Sequence, residues 1–138
     1  VDEDVARVLI GAVRAFDRDL AVVGLPHTAA AREAERQGLR LVRSFLADRA
    51  YTPEGTLVAR GTPGAVIHSA QDIAARIARV LNEGTVRAAD GSDIPMPADS
   101  ILIHSDTAGA IDLARTIRAT VETAGFAVRS FATPAAES

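Results

Sequence analysis

A chain of 138 residues that is 48% apolar and 24% charged sits at globular averages. It is long enough for one domain burying on the order of 70% of its unfolded surface, and no apolar run approaches the ~18 residues of a membrane-spanning helix. A net charge of -3 with interspersed signs and 4% aromatic content excludes the basic stripe and stacking platforms of a nucleic-acid surface, and the lack of any Cys or Lys excludes disulfides, thiolate zinc sites, a Cys nucleophile, a Schiff-base amine and a phosphate-loop lysine within this chain.

The first element in chain order is a helix over Asp4 to Phe16, where Val5, Val8, Leu9, Ala12, Val13 and Phe16 recur at helical spacing and Asp2, Glu3 and Asp4 stand at the positive end. The acids there are also unlike the basic and apolar opening of a secretory signal, so the expected address is the cytoplasm. Leu20 to Gly24 reads as a short buried strand. An Ala-rich helix over His27 to Gln37 stops at Gly38, a residue suited to a left-handed cap, and Leu39 to Phe45 is the next strand.

A long polar loop follows, with a short strand predicted at Ala65 to His68. Ile73, Ile77, Val80 and Leu81 then mark a helix ending near Gly84. Ala89-Asp90-Gly91-Ser92 is a turn signal, and Pro95-Met96-Pro97 is expected to be irregular. Ser100 to Ser105 is the most strand-like segment. It feeds a helix from about Ala108 to Ala124, which ends at Gly125 before a last predicted strand, Phe126 to Phe131. Continuous apolar strands alternating with helices predict an α/β fold of repeated β-α units with parallel strands, one domain over 1–131 and a loose tail over 132–138.

In such folds, sites form at the carboxyl ends of strands. Asp48 and Arg49 follow one strand there, and His104 and Asp106 end another, so all four are expected on one face of the molecule. His104 with a carboxylate could act as a general base; alternatively Asp106 or Thr107 caps the following helix and His104 is a satisfied core histidine. Arg49 and Arg60, with Asp48 and Tyr51 beside them, suit an anionic ligand; alternatively an internal salt bridge pins the loop. His68 could face the same site, though a surface role fits it at least as well, His27 reads as a surface residue, no spacing suggests a metal site, and no Gly-rich phosphate cradle is present.

The run Leu46-Ala47-Asp48-Arg49-Ala50-Tyr51-Thr52-Pro53-Glu54-Gly55-Thr56-Leu57-Val58-Ala59-Arg60, continuing through Gly64-Ala65, with the later run Ile103-His104-Ser105-Asp106-Thr107, resembles the LamB/YcsF family. Its members read close to F-A-D-R-x-Y-x-x-D-G-x-L-x-x-R-x-x-x-G-A and V-H-G-D-T-x-x-A at these places. The likeness covers roughly Val1 to Val128. It implies a distorted (β/α) barrel of the glycoside hydrolase or deacetylase type, of which this chain would be the second half; standing alone, the chain would instead form an open doubly wound sheet or an obligate assembly with the missing half. It also implies an ATP-dependent 5-oxoprolinase that opens the lactam of 5-oxoproline to glutamate together with two companion subunits.

Within that resemblance His104, Asp106 and Asp48 would be catalytic, and Arg49, Tyr51 and Arg60 would bind substrate or phosphate. ATP is implied by the family alone. Two positions depart from its pattern: Ser105 stands where Gly is usual, and Ser44 where an acid is common. Counterparts of the family's opening Asn-Cys-Asp, His-Ala-Gly-Asp and Lys-Pro-His-Gly runs are missing, and the chain begins at Val1. The expectation is therefore a fragment, a processed chain or one piece of a larger protein, not stable as an independent monomer. The rival expectations are a binding or assembly module without chemistry of its own, and a metal-dependent deacetylase-like carbohydrate enzyme whose ligands would lie in the missing half.

Overall fold

The computed structural model describes residues 2–105 and 109–131. Helix α1 (Glu3–Phe16) leads through β1 (Ala21–Gly24), α2 (Ala29–Arg36) and β2 (Arg40–Leu46) to the long loop. Then come α3 (Ala70–Glu83), β3 (Thr85–Arg87), β4 (Asp93–Pro95), β5 (Ser100–Leu102) and α4 (Ala110–Thr123). Each of the first three helices starts on a side chain that satisfies an otherwise unpaired amide: Asp2, Thr28 and Ser69 accept from the N–H groups of Asp4, Ala31 and Asp72. Gly38, at φ +72°, ends the turn after α2.

The main sheet is parallel, in the order β1-β2-β5. Its centre is β2, whose Ser44, Phe45 and Leu46 stand opposite Ser100, Ile101 and Leu102. Helix α2 packs on β1 and β2, α1 packs on α2, and α3 packs against α4 and β3. Two apolar clusters result. The smaller joins Ile10, Ala34 and Leu39 with Val13, Val22 and Leu41. The larger gathers Phe45, Tyr51, Ile73, Ile77, Val80, Val86, Met96, Ile117 and Val121 around the carboxyl end of β2, and a fully buried side chain of this kind contributes about 1.5–3 kcal/mol.

Several expectations are corrected. Helix α1 turns Ala6 and Ile10 inward and leaves Val5, Val8, Leu9 and Phe16 exposed, the last at 86%. Residues 65–68 form no strand beyond a single bridge between Arg49 and Val66. The stretch expected to be irregular begins inside an antiparallel hairpin, β3 with β4, closed by the predicted Ala89–Ser92 turn. Phe126 to Phe131 is not a strand: Phe126, Val128 and Phe131 are exposed, and the residues make no ladder. The 132–138 tail lies outside the described residues. Among the described residues no helix is long and apolar enough to cross a membrane.

The loop between β2 and α3 is folded on itself. Amide-to-carbonyl bonds run from Ala50 to Ala65, Val58 to Ala50 and Ile67 to Asp48 at 2.8 to 3.0 Å, and Ala89 N–H donates to the Tyr51 carbonyl at 2.8 Å. Its tip turns at Gly55, φ +78°, where an added Cβ would meet the His27 ring at 2.6 Å. The His27 ring nitrogen Nε2 is in turn 2.9 Å from the Pro95 carbonyl. Only Gly combines that dihedral with that closeness.

Candidate active site

The register of the sheet brings two loop residues together. Leu46 stands opposite Leu102, and Ala47 N–H continues the ladder to the Leu102 carbonyl at 3.2 Å. Two residues beyond each strand end, Asp48 comes opposite His104. The Asp48 Oδ2 lies 2.7 Å from His104 Nδ1, and the His104 amide reaches the same oxygen at 3.5 Å. Asp48 is 3% exposed, whereas the imidazole keeps 23% of its surface open.

Arg60 completes a line of three. Its Nη2 is 2.7 Å from His104 Nε2. A guanidinium has no lone pair and can only donate, so Nε2 must accept, the imidazole is neutral, and Nδ1–H donates to Asp48. The tautomer follows from the two neighbours together. Asp48 Oδ1, by contrast, is buried without a hydrogen-bond partner among the described residues, as is the Ser44 hydroxyl. Buried acceptors in this state cost stability.

Arg49 and Tyr51 occupy different ground. Arg49 is 5% exposed, and its Nε and Nη2 donate to the carbonyls of Ala65 and Val58 at 3.2 and 2.7 Å. It braces the loop, with no ion pair to Asp48. Tyr51 is wholly buried, stacked on Phe45 with ring centroids 5.8 Å apart, and its hydroxyl accepts the Leu46 N–H at 2.9 Å; burial raises its pKa. Asp106 lies outside the described residues. The structure thus brings Asp48, His104 and Arg60 together and builds Arg49 and Tyr51 into the framework beneath them.

One participant escaped the sequence reading. Arg76 on α3 donates to the Arg49 carbonyl at 2.8 Å, lies 5.8 Å over the Phe45 ring and has a buried, unpartnered Nε. Burial lowers its pKa. The available signal was its place between Ile73 and Ile77 on the apolar stripe, where an Arg on a solvated face would not fall.

Among the described residues no group of three or more His, Asp or Glu is placed to hold a metal ion. Acids occupy the first turns of α1, α3 and α4, namely Glu3, Asp4, Asp72 and Asp112, whereas the first turn of α2 has none. Two shallow concavities, of 610 and 420 Å³, lie elsewhere. One is lined by Glu3, Arg7, Arg32 and Glu33, the other by His27, Arg43 and Glu54. Many of their charges already pair with one another, Arg32 with Glu3 and Arg36 with Glu33 among them, so the convergent polar geometry is at His104 rather than in either hollow.

Comparison with known proteins agrees with the fold. The profile of the LamB/YcsF family matches residues 1–136. A 5-oxoprolinase subunit from Paracidovorax citrulli is 50% identical over 92% of this chain and 51% of its own length, and its counterpart from Kocuria rhizophila is 49% identical over 92% and 50%. The crystal structure of a lactam utilization protein from Thermus thermophilus superposes with a TM-score of 0.84 at 39% identity, covering 94% of this chain and 51% of that one. The chain spans about half the length of the curated relatives it matches. On the family profile, the shared sequence and the shared fold, this chain belongs to the LamB/YcsF family.

Proposed function

We propose that this chain carries the proton-handling part of a 5-oxoprolinase, a multi-subunit cyclic amide hydrolase that converts the 5-oxoproline lactam to glutamate. The observation that carries the reading is the line Asp48–His104–Arg60, its first two members just beyond the carboxyl ends of adjacent parallel strands and its third on the loop between β2 and α3. Its support from relatives is the name that the most similar sequences bear. In the reaction His104 Nε2 takes a proton from water as the new C–O bond forms, and returns it to the ring nitrogen as the C–N bond breaks. Asp48 holds the imidazole in place and stabilises its charged form. Arg60 takes the substrate carboxylate. Arg49 and Tyr51 support the cluster from below. By the family resemblance, Asp106 is proposed to share in this chemistry.

The ATP dependence that the family resemblance implies is proposed for the complete enzyme. So are the two companion subunits and the rest of the polypeptide. A three-stranded parallel sheet whose two edges are unpaired among the described residues and the outward apolar stripe of α1 support a reading of this chain as part of a larger distorted β-α barrel, since parallel strands are normally covered and edges paired. In the full-length, assembled enzyme, His104→Gln is expected to lower 5-oxoproline turnover about 10²–10⁴-fold, the range of general acid–base catalysis, with the melting temperature kept. Turnover within a factor of two of the parent would remove the imidazole from the chemistry.

A further inference from the structure

We infer that Arg60 is a ligand-released cap on His104: in the free protein it occupies the lone pair that the base needs, and an anionic group on the incoming ligand draws it away. The inference rests on the proposed role of His104 as base and extends it to what switches that base on.

Three observations carry it. Arg60 Nη2 sits 2.7 Å from Nε2, and Nε2 is the only nitrogen of the ring that could accept a proton, because Nδ1 is committed to Asp48. As arranged, the imidazole therefore has no free basic site. Arg60 is exposed, and among the described residues it makes no ion pair with any carboxylate, so its charge is neutralised by nothing in the described structure. A neutral imidazole nitrogen is a weaker partner for a guanidinium than a carboxylate, which offers two oxygens in the fork geometry that Arg matches. A ligand carboxylate placed beside Arg60 therefore outcompetes His104, and the nitrogen it vacates becomes available to water.

The consequence is selectivity. A lactam without a carboxylate leaves the cap in place and meets a blocked base, while 5-oxoproline, with its carboxylate, uncovers it. Arg60 is thus a positioning and specificity-determining residue whose charge acts through His104.

The test uses the full-length protein. Carbethoxylation by diethyl pyrocarbonate reads free imidazole nitrogens, and the chain holds two exposed internal controls, His27 and His68. Arg60→Ala is expected to speed modification of His104 about tenfold or more, the factor that corresponds to losing one charge-assisted hydrogen bond, while His27 and His68 react at parental rates. Equal rates at His104 in both proteins would overturn the cap.

The ligand arm follows the ring nitrogens by ¹⁵N NMR during additions of 5-oxoproline, acetate and inorganic phosphate. Release moves the Nε2 resonance towards its position in Arg60→Ala, with Nδ1 still protonated. If 5-oxoproline moves it, the cap and the substrate reading both stand. If acetate or phosphate moves it and 5-oxoproline does not, the cap stands and the substrate reading falls. If none moves it while Arg60→Ala does, Arg60 is a permanent clamp and the inference is wrong.

Discussion

Asp48 and His104 could be placed on one face from the chain alone, because the first follows one predicted strand, the second ends another, and parallel neighbours present their ends to one side, but their direct pairing is a finding of the structure. The rest of the site could not be placed this way. The Arg60 contact depends on the path of a folded loop, and no periodicity encodes such a path. Arg49 and Tyr51 carry side chains typical of ligand binding, yet the structure uses their donors and acceptors on backbone groups that the loop would otherwise bury unpaired. That use has a measurable result. Arg49→Lys keeps the charge but cannot reach the Ala65 and Val58 carbonyls with one planar fork. It should cost about 1–3 kcal/mol in urea unfolding, the penalty for leaving a buried carbonyl unsatisfied. A variant as stable as its parent would return Arg49 to the candidates for ligand binding.

Helices were the most legible elements. Caps and apolar spacing located all four to within a few residues, but spacing did not say which side of α1 faces inward, because that helix has apolar residues on both. Strands failed where a short segment lacked a continuous apolar run like that of Ile101 to Ile103. The three-residue β3 and β4 offer too little alternation to read, and Pro95 at the end of β4 suggested irregular chain where an edge position tolerates it. Phe126, Val128 and Phe131 show the converse: the right side chains make no strand without a partner.

The start of β5 is secured by a closed staple. Arg43 donates to both Asp99 oxygens at 2.8 Å, the Arg43 amide donates to Asp99 Oδ2 at 2.9 Å, and the Asp99 amide donates to the Arg43 carbonyl at 2.8 Å. The guanidinium holds the Asp99 carboxyl below its usual range. Because the folded value lies below the unfolded one, the stabilisation is present above about pH 4 and is lost as pH falls through the folded value. Both groups are more than a third exposed, so solvent screening limits it to about 0.5–1 kcal/mol. Parent and Asp99→Asn should therefore differ by that amount at pH 6 and converge towards pH 2 in denaturant titrations. A constant offset across the range would assign the effect to packing instead.

On the scale of the whole molecule, the chain has a packed centre around β2 and unfinished borders. The larger cluster buries Phe45, Tyr51, Ile73, Ile77 and Met96 almost completely, so the platform beneath the site is rigid. Outside it, both edges of the parallel sheet are unpaired among the described residues and α1 presents Val8, Leu9 and Phe16 to solvent. The site lies at the end of the best-packed strand and opens towards solvent at His104, an arrangement in which a fixed carboxylate orients a ring that remains reachable. The chemistry proposed for it belongs to the full-length, assembled protein, so its test belongs there too. Asp48→Asn is the sharpest probe, because an amide oxygen still accepts Nδ1–H and keeps the ring in place, but a neutral group cannot stabilise the imidazolium that forms when His104 takes a proton. With turnover of 5-oxoproline and thermal melting measured on one preparation, the expected outcome is a fall in turnover of about 10²–10⁴-fold with melting unchanged or raised, since a buried, half-satisfied carboxylate is removed. Parental turnover in Asp48→Asn, or a loss of rate that merely follows a loss of folded protein, would contradict the proposed role of the Asp48–His104 pair.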